Sequence, residues 1–317
     1  MFRLFFLLVL FSLNSSAQQW PTKPVKIVVP FSPGGFADSG ARAISERLAA
    51  RLGQPVLIEN KVGASGNIGT EMVAKSAPDG YTLLLAFDGT MVINPHVFAK
   101  IPFDTLKDFQ PVTKLGDAPV LVAAHPSVPV NNLRELIAAA KAKPNSFSYG
   151  TSGTGNTPHL VGEMLNLRAG TDFQHIPYKG GSQAVGDAVG GQIPLVFTAI
   201  ASAGQFIRSG KLKALGVTST ARVAAMPDVP TFIESGLPGF VVNSWVGILA
   251  PARTPRPIVD RLQRDIAAVL KEPEVRERFA VLGNEPVGNT PDEFAAQIKA
   301  DLAQWGEIVK RAGVKIE

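Results

Sequence analysis

Short, nearly continuous apolar runs alternate along this chain with segments in which apolar residues recur every three to four positions. A run of four to eight apolar residues between turn residues predicts a strand buried on both faces, and the 3.6-residue recurrence predicts a helix with one face on a core. The first unit shows both. Residues 25–31 predict a strand, a Pro-Gly-Gly turn follows, and Ala41, Ile44, Leu48 and Leu52 predict a helix that Gly53 closes. Further strands are predicted at 55–60, 81–87, 119–124, 146–149, 173–177, 195–200, 212–217 and 241–249, with helices at 66–76, 132–142, 157–168, 182–189 and 203–209. The last seventy residues or so predict three helical stretches and no strand. One carries the stripe Ile258, Leu262, Ile266 and Val269; another is opened by the capping box Thr290-Pro291-Asp292-Glu293 and carries Phe294, Ile298, Leu302, Trp305 and Val309.

Strands alternating with helices predict an α/β fold with mainly parallel strands. At 317 residues the chain exceeds what a single core comfortably organises, so two lobes are expected. The extreme N-terminus follows a different pattern. Arg3 precedes the apolar run 4–13, and Ser15-Ser16-Ala17 follows it, which predicts a secretory signal peptide over residues 1–17 and a mature chain starting at Gln18. No later apolar run approaches the ~20 residues needed to span a bilayer.

With 45% hydrophobic and only 18% charged residues the chain can bury a large core, which excludes disorder as its main state. It has no cysteine, so disulfides, thiolate metal sites and a cysteine nucleophile are all ruled out. The formal charge of +5 is spread singly or in mixed-sign runs such as residues 260–265, so no nucleic-acid partner is expected.

Candidate chemistry lies in the turns. Residues 30–42 read PFSPGGFADSGAR: a strand, two glycines, then a helix start. Glycine lets a ligand approach the backbone, and a helix start offers unpaired N–H groups at the positive end of the dipole, so this turn predicts an anion site. Asp38 fits either the cap of that helix or an ion pair with Arg42. Residues 63–69 (GASGNIG) and 150–156 (GTSGTGN) each also link a strand to a helix. The first has neither the G-x-G-x-x-G spacing nor a P-loop lysine, and neither is specific alone. Several such turns at strand C-termini favour a ligand crevice. Catalytic signatures fail: Asn67 and Thr154 replace the last glycine of G-x-S-x-G, and His96, His125, His159 and His175 have no metal-ligand spacing. No catalytic residue, metal or cofactor is predicted.

The ordered series VPFSPGGFADSGAR from Val29, ENKVGASGNIGTEMVAKSAPDGYTLL from Glu59, YGTSGTGNTPHLVGE from Tyr149, IPYKGGSQAVGDAVGGQIPLVF from Ile176, MPDVPTFIESGLPGF from Met226 and SWVGILAPARTP from Ser244 resembles the Bug/TctC family of periplasmic solute-binding proteins of tripartite tricarboxylate transport systems. The resemblance implies a two-lobed, type II periplasmic-binding-protein fold with the ligand cleft between lobes. It implies lobes of residues 20–120 with 246–317, and 121–245, joined by crossover strands near 119–124 and 241–249. It also implies a monomer in the periplasm that binds a small organic carboxylate for membrane transporter subunits. A receptor for a sensor kinase and a secreted α/β hydrolase are the alternatives. The implied ligand-binding residues are Phe31, Pro33, Gly34, Gly35, Asp38, Asp88, Thr90, Thr151, Ser152, Gly153, Tyr178, Lys179 and Thr198. Asp88 and Thr198 depart from common family forms, and Asp88 is expected to tune specificity by accepting a hydrogen bond from a ligand hydroxyl or ammonium.

Overall fold

The computed structural model describes residues 20–312; the expected signal peptide at 1–17 lies outside the described residues. Strands β1 (Val25–Val29), β2 (Val56–Asn60) and β3 (Thr82–Phe87) alternate with helices α1 (Phe36–Leu52) and α2 (Asn67–Ala74). A π-helical turn at Gly89–Ile93 and the short α3 (Asn94–Val97) lead to the long strand β4 (Phe109–Ala124). Then come α4 (Leu133–Ala142), β5 (Ser148–Thr151), α5 (Thr157–Ala169), β6 (Gln174–Pro177), α6 (Gly181–Val189), β7 (Leu195–Ala199), α7 (Ile200–Arg208) and β8 (Lys213–Val217). Strand β9 (Asn243–Pro251), helices α8 (Arg256–Leu270) and α9 (Pro273–Val281), the two-residue β10 (Glu285–Pro286) and α10 (Pro291–Ala312) complete the chain.

The strand order is β2-β1-β3-β9-β4-β7-β5-β6, with β8 and β10 also on β4. Strands β1, β2 and β3 are parallel, and so are β5, β6 and β7. The antiparallel strands β4 and β9 join the two groups. Residues 109–119 of β4 pair with β9, and from Val120 onward its partners are β7 and β8. Each parallel group is the floor of one lobe, and β4 runs through both.

Two sequence expectations needed correction. Strand β4 begins at Phe109, ten residues before the predicted start, because Pro111, Gly116 and the charged pair Lys114 and Asp117 interrupt its apolar pattern. The structure accommodates them with two register shifts and an ion pair of 2.8 Å. The C-terminal region also holds a strand, β10, which is too short to give a pattern and pairs antiparallel with Gly116 and Asp117.

The predicted stripes face the cores. Ile44, Leu48, Val259, Leu262 and Ile266 pack α1 and α8 over Ile27, Leu83 and Leu85. Phe294 of α10 meets Trp245 of β9 edge to face, with ring centroids 5.2 Å apart. Both lobes therefore hold their strand ends rigidly, with the C-termini of β1, β3, β5, β6 and β7 opening on the space between them.

Candidate functional site

The cleft between the lobes is lined by Phe31, Gly35, Phe36 and Phe87 on one side, by Ser152, Pro158, Gly181, Thr198 and Ser202 on the other, and by Ser244 of the connecting strand β9. Four helices of nine or more residues, α1, α5, α6 and α7, start at this wall. Only α5 is capped by a side chain, Asn156 Oδ1 accepting from the His159 N–H at 3.0 Å. The N-caps of α1, α6 and α7 are Gly35, Gly180 and Ala199, none of which can give a side-chain oxygen to the first-turn amides. Three sets of unpaired N–H groups and three positive dipole ends thus meet at one place. They meet closely. A Cβ on Gly35 would stand 3.8 Å from the Gly181 nitrogen, and a Cβ on Gly181 would stand 2.9 Å from Thr198 Oγ1 and 3.1 Å from Ser202 Oγ.

The β1–α1 turn is held from behind. Asp38 accepts from the Gly34 N–H at 2.9 Å, from Arg42 Nε at 2.8 Å and from Asn60 Nδ2 at 2.9 Å, and Asn60 Nδ2 also donates to the Phe31 carbonyl. Burial pushes the Asp38 carboxyl up, but these donors and the Arg42 charge outweigh it and leave it below the usual carboxylate range. Asp38 is therefore a brace for Gly34, whose φ of 78° suits glycine. On the facing lobe the 151–156 turn is braced in the same way. Thr151 Oγ1 donates to the Gly153 carbonyl at 2.8 Å, and Asn156 Nδ2 donates to Ser152 Oγ at 2.9 Å. Beneath it, His159 and His175 stack with centroids 3.9 Å apart, and the Gly155 N–H donates to His159 Nδ1. Burial holds His159 down to about 4; burial and the neighbouring His159 hold His175 down to about 3.

The lobes touch across the cleft. Ser182 Oγ donates to the Pro33 carbonyl at 2.8 Å and accepts from Ser32 Oγ at 3.2 Å. In this arrangement the cavity is ≈ 30 Å³, room for a water molecule or two, so an organic ligand enters only when the lobes part.

The expected residues fall into distinct groups. Phe31, Gly35, Ser152 and Thr198 line the cleft, while Pro33 and Gly34 form the rim of its first turn. Gly153, Tyr178 and Lys179 face a second, more open depression together with residues 63–66. Thr90 donates to the Ser65 carbonyl and shapes that rim from below. Thr151 is fully buried as a brace.

Asp88 is also fully buried and absent from the cleft wall. It accepts from Ser244 Oγ at 2.7 Å, from the Gly89 N–H at 2.8 Å and from Thr157 Oγ1, so its oxygens are taken by three separate segments. The expectation that it receives a ligand hydroxyl or ammonium does not fit this geometry, because the chain turns helical at Gly89 and carries the carboxyl inward. Burial pushes it up to about 7, against the pull of the three hydrogen bonds.

Sequence reasoning missed Phe36, Phe87, Pro158, Gly181, Ser202 and Ser244. All but Ser244 sit beside a strand end or helix start of the kind already singled out, so reading every strand–turn–helix junction alike would have found them. Ser244 lies inside a strand, and its only signal was its place at the head of a family-like segment.

Residues 40–314 match the family described as tripartite tricarboxylate transporter family receptor. The chain belongs to that family. It is 37% identical over 303 residues to the protein BugT of Bordetella pertussis, covering 95% of this chain and 93% of BugT. Among solved structures it is similar to R. palustris Rpa4515 with adipate, at TM-score 0.91 and 33% identity over 93% of this chain and 99% of the other. It is likewise similar to MatC from Rhodopseudomonas palustris with bound malate, at TM-score 0.86 and 34% identity over 92% and 100%. The two-lobed receptor fold and the receptor class follow from this membership. Among the described residues no helix is long and apolar enough to cross a membrane, and no cluster of side chains has the geometry to hold a metal ion.

Proposed function

We propose that this chain is a periplasmic receptor that closes two lobes on one small organic carboxylate and hands it to the membrane subunits of a tripartite transporter. The carrying observation is the meeting of three uncapped helix starts, α1, α6 and α7, in a wall that contains no Arg or Lys. Fixed N–H groups in a closed cleft hold an anion without a counter-charge, each hydrogen bond to a charged acceptor contributing about 1.5–3 kcal/mol. The carboxylates named for the two solved relatives support the same ligand class. The lobes are residues 20–120 with 246–317, and 121–245, since β4 changes partners at Pro119 and Val120. Export follows from the 1–17 segment, and the chain acts as a monomer.

The reading is of binding without turnover. The cleft serines give no nucleophile with a base: the Ser244 hydroxyl is committed to buried Asp88, Ser152 is held by Asn156, Ser202 has no side-chain partner among the described residues, and the two buried histidines face Thr151 and Gly155. A thermal-shift screen of carboxylates on chelator-treated protein tests it. Saturable stabilisation by at least one carboxylate with no added metal is expected, because a ligand of the folded state alone raises the melting temperature. Stabilisation only with divalent metal, or hydrolysis of generic esters by the pure protein, would overturn it.

A further inference from the structure

We propose that the cleft selects a monocarboxylate with a short apolar body, its carboxylate at Gly35, Gly181, Thr198 and Ser202 and its body against Phe31, Phe36 and Phe87; this rests on the reading of the cleft as a carboxylate site. The two ends of the cleft differ in chemistry. At one end Ser202 Oγ is buried, lines the cavity and has no hydrogen-bond partner among the described residues. A buried hydroxyl left so is costly unless something in the cavity accepts from it. Ser202 lies in the first turn of α7, so the helix amides and this hydroxyl point to one acceptor. Thr198 Oγ1 lies beside it and Gly35 opposite, and a Cβ on Gly181 would crowd both hydroxyls, so glycine keeps this point of the cleft free of side chain.

The other end rejects charge. Phe31 and Phe36 both pack edge to face on Phe87, with centroids 5.1 and 6.3 Å apart. Ser244 lies there, but its hydroxyl hydrogen goes to Asp88 Oδ1, so it turns only lone pairs to the cavity. The acid group behind it is Asp88. The remaining charged braces of the wall, Asp38 and Arg42, neutralise each other on the far side of the β1–α1 turn. A second carboxylate at this end would meet aromatic rings and the Ser244 lone pairs, with the Ser152 hydroxyl as its one side-chain donor, and would lose most of its hydration without replacement. An alkyl or aryl body fits that surface. This sets the chain apart from what is named for its solved relatives, since malate and adipate both carry two carboxylates.

The test is isothermal titration of chelator-treated protein at fixed ionic strength with hexanoate, benzoate, malate, adipate and citrate, repeated on Ser202→Ala. The better of hexanoate and benzoate is expected to bind at least tenfold more tightly than any of the three polyacids, and Ser202→Ala to weaken it about tenfold with the melting temperature of the free protein unchanged or raised. A polyacid binding more tightly than both monocarboxylates overturns the inference and leaves the receptor reading intact. Unchanged affinity in Ser202→Ala overturns the placement of the carboxylate. Absence of heat with all five acids, on folded protein, counts against the receptor reading itself.

Discussion

Asp88 shows how one buried side chain reshapes a functional reading. From sequence it stands before a glycine at a strand end, a position that suggests contact with a ligand; in the fold it ties the end of β3 to the start of α5 and to the connecting strand β9. Its carboxyl titrates near 3.8 when unfolded and about 7 when folded. Between those values the folded chain keeps a proton that the unfolded chain has lost, so this residue makes stability fall as pH rises from about 4 to about 7. Asp88→Asn removes that dependence while keeping acceptors for Gly89 and Ser244, with Thr157 turning to accept from the amide. The variant is expected to match the wild type near pH 4 and to exceed it above pH 7 by up to about 4 kcal/mol. Denaturant unfolding at a series of pH values measures it; a constant difference between the two proteins would show that Asp88 is ionised throughout. The buried His159 and His175 slope the other way, losing stability as pH falls below about 6.5, and they contribute equally to both proteins.

At the scale of elements, the proposed site is made of helix starts without side-chain caps. Gly35 has the extended backbone of an ordinary N-cap, φ −84° and ψ 177°, where Asp or Asn would serve the helix at least as well. Gly35→Asp is expected to leave the melting temperature unchanged or slightly raised, while costing at least a hundredfold in carboxylate affinity, because the new carboxylate takes the amides that the ligand needs. Equal affinity in that variant would remove the α1 start from the site. Alternating apolar runs and helical stripes made most strands and helices legible in the sequence, because those patterns come from burial on a layered core. Strand β4 was legible only in its second half. Its first half is stabilised by pairing with β9 and by an ion pair between its own Lys114 and Asp117, which are long-range and local contacts that leave no periodic trace. That turns at strand ends border the cleft was legible, but not which residue in each turn faces it. Thr151 and Ser152 are neighbours, yet one braces and the other lines.

At the scale of the whole molecule, closure of the lobes is the step that the proposed binding requires. Gly180 has no strain to relieve, its φ of 177° being open to any residue, but a Cβ there would clash with Ser32 Oγ and stand 3.0 Å from Ser32 Cβ and 3.1 Å from the Ser32 nitrogen in the facing lobe. Gly180→Ala is expected to fold with a melting temperature within a degree or two of the wild type, to bind carboxylate at least tenfold more weakly, and to lose the compaction that ligand produces in small-angle scattering. Wild-type affinity in this variant would mean that binding does not need the lobes to meet. Native mass spectrometry of the protein purified from the periplasm without refolding, beside Gly35→Asp prepared in the same way, tests carboxylate capture most directly. One non-covalent small organic acid per wild-type chain is expected, retained after chelation and missing from the variant. A bound species that is not an acid, a metal-dependent adduct, or equal retention by both proteins would contradict it.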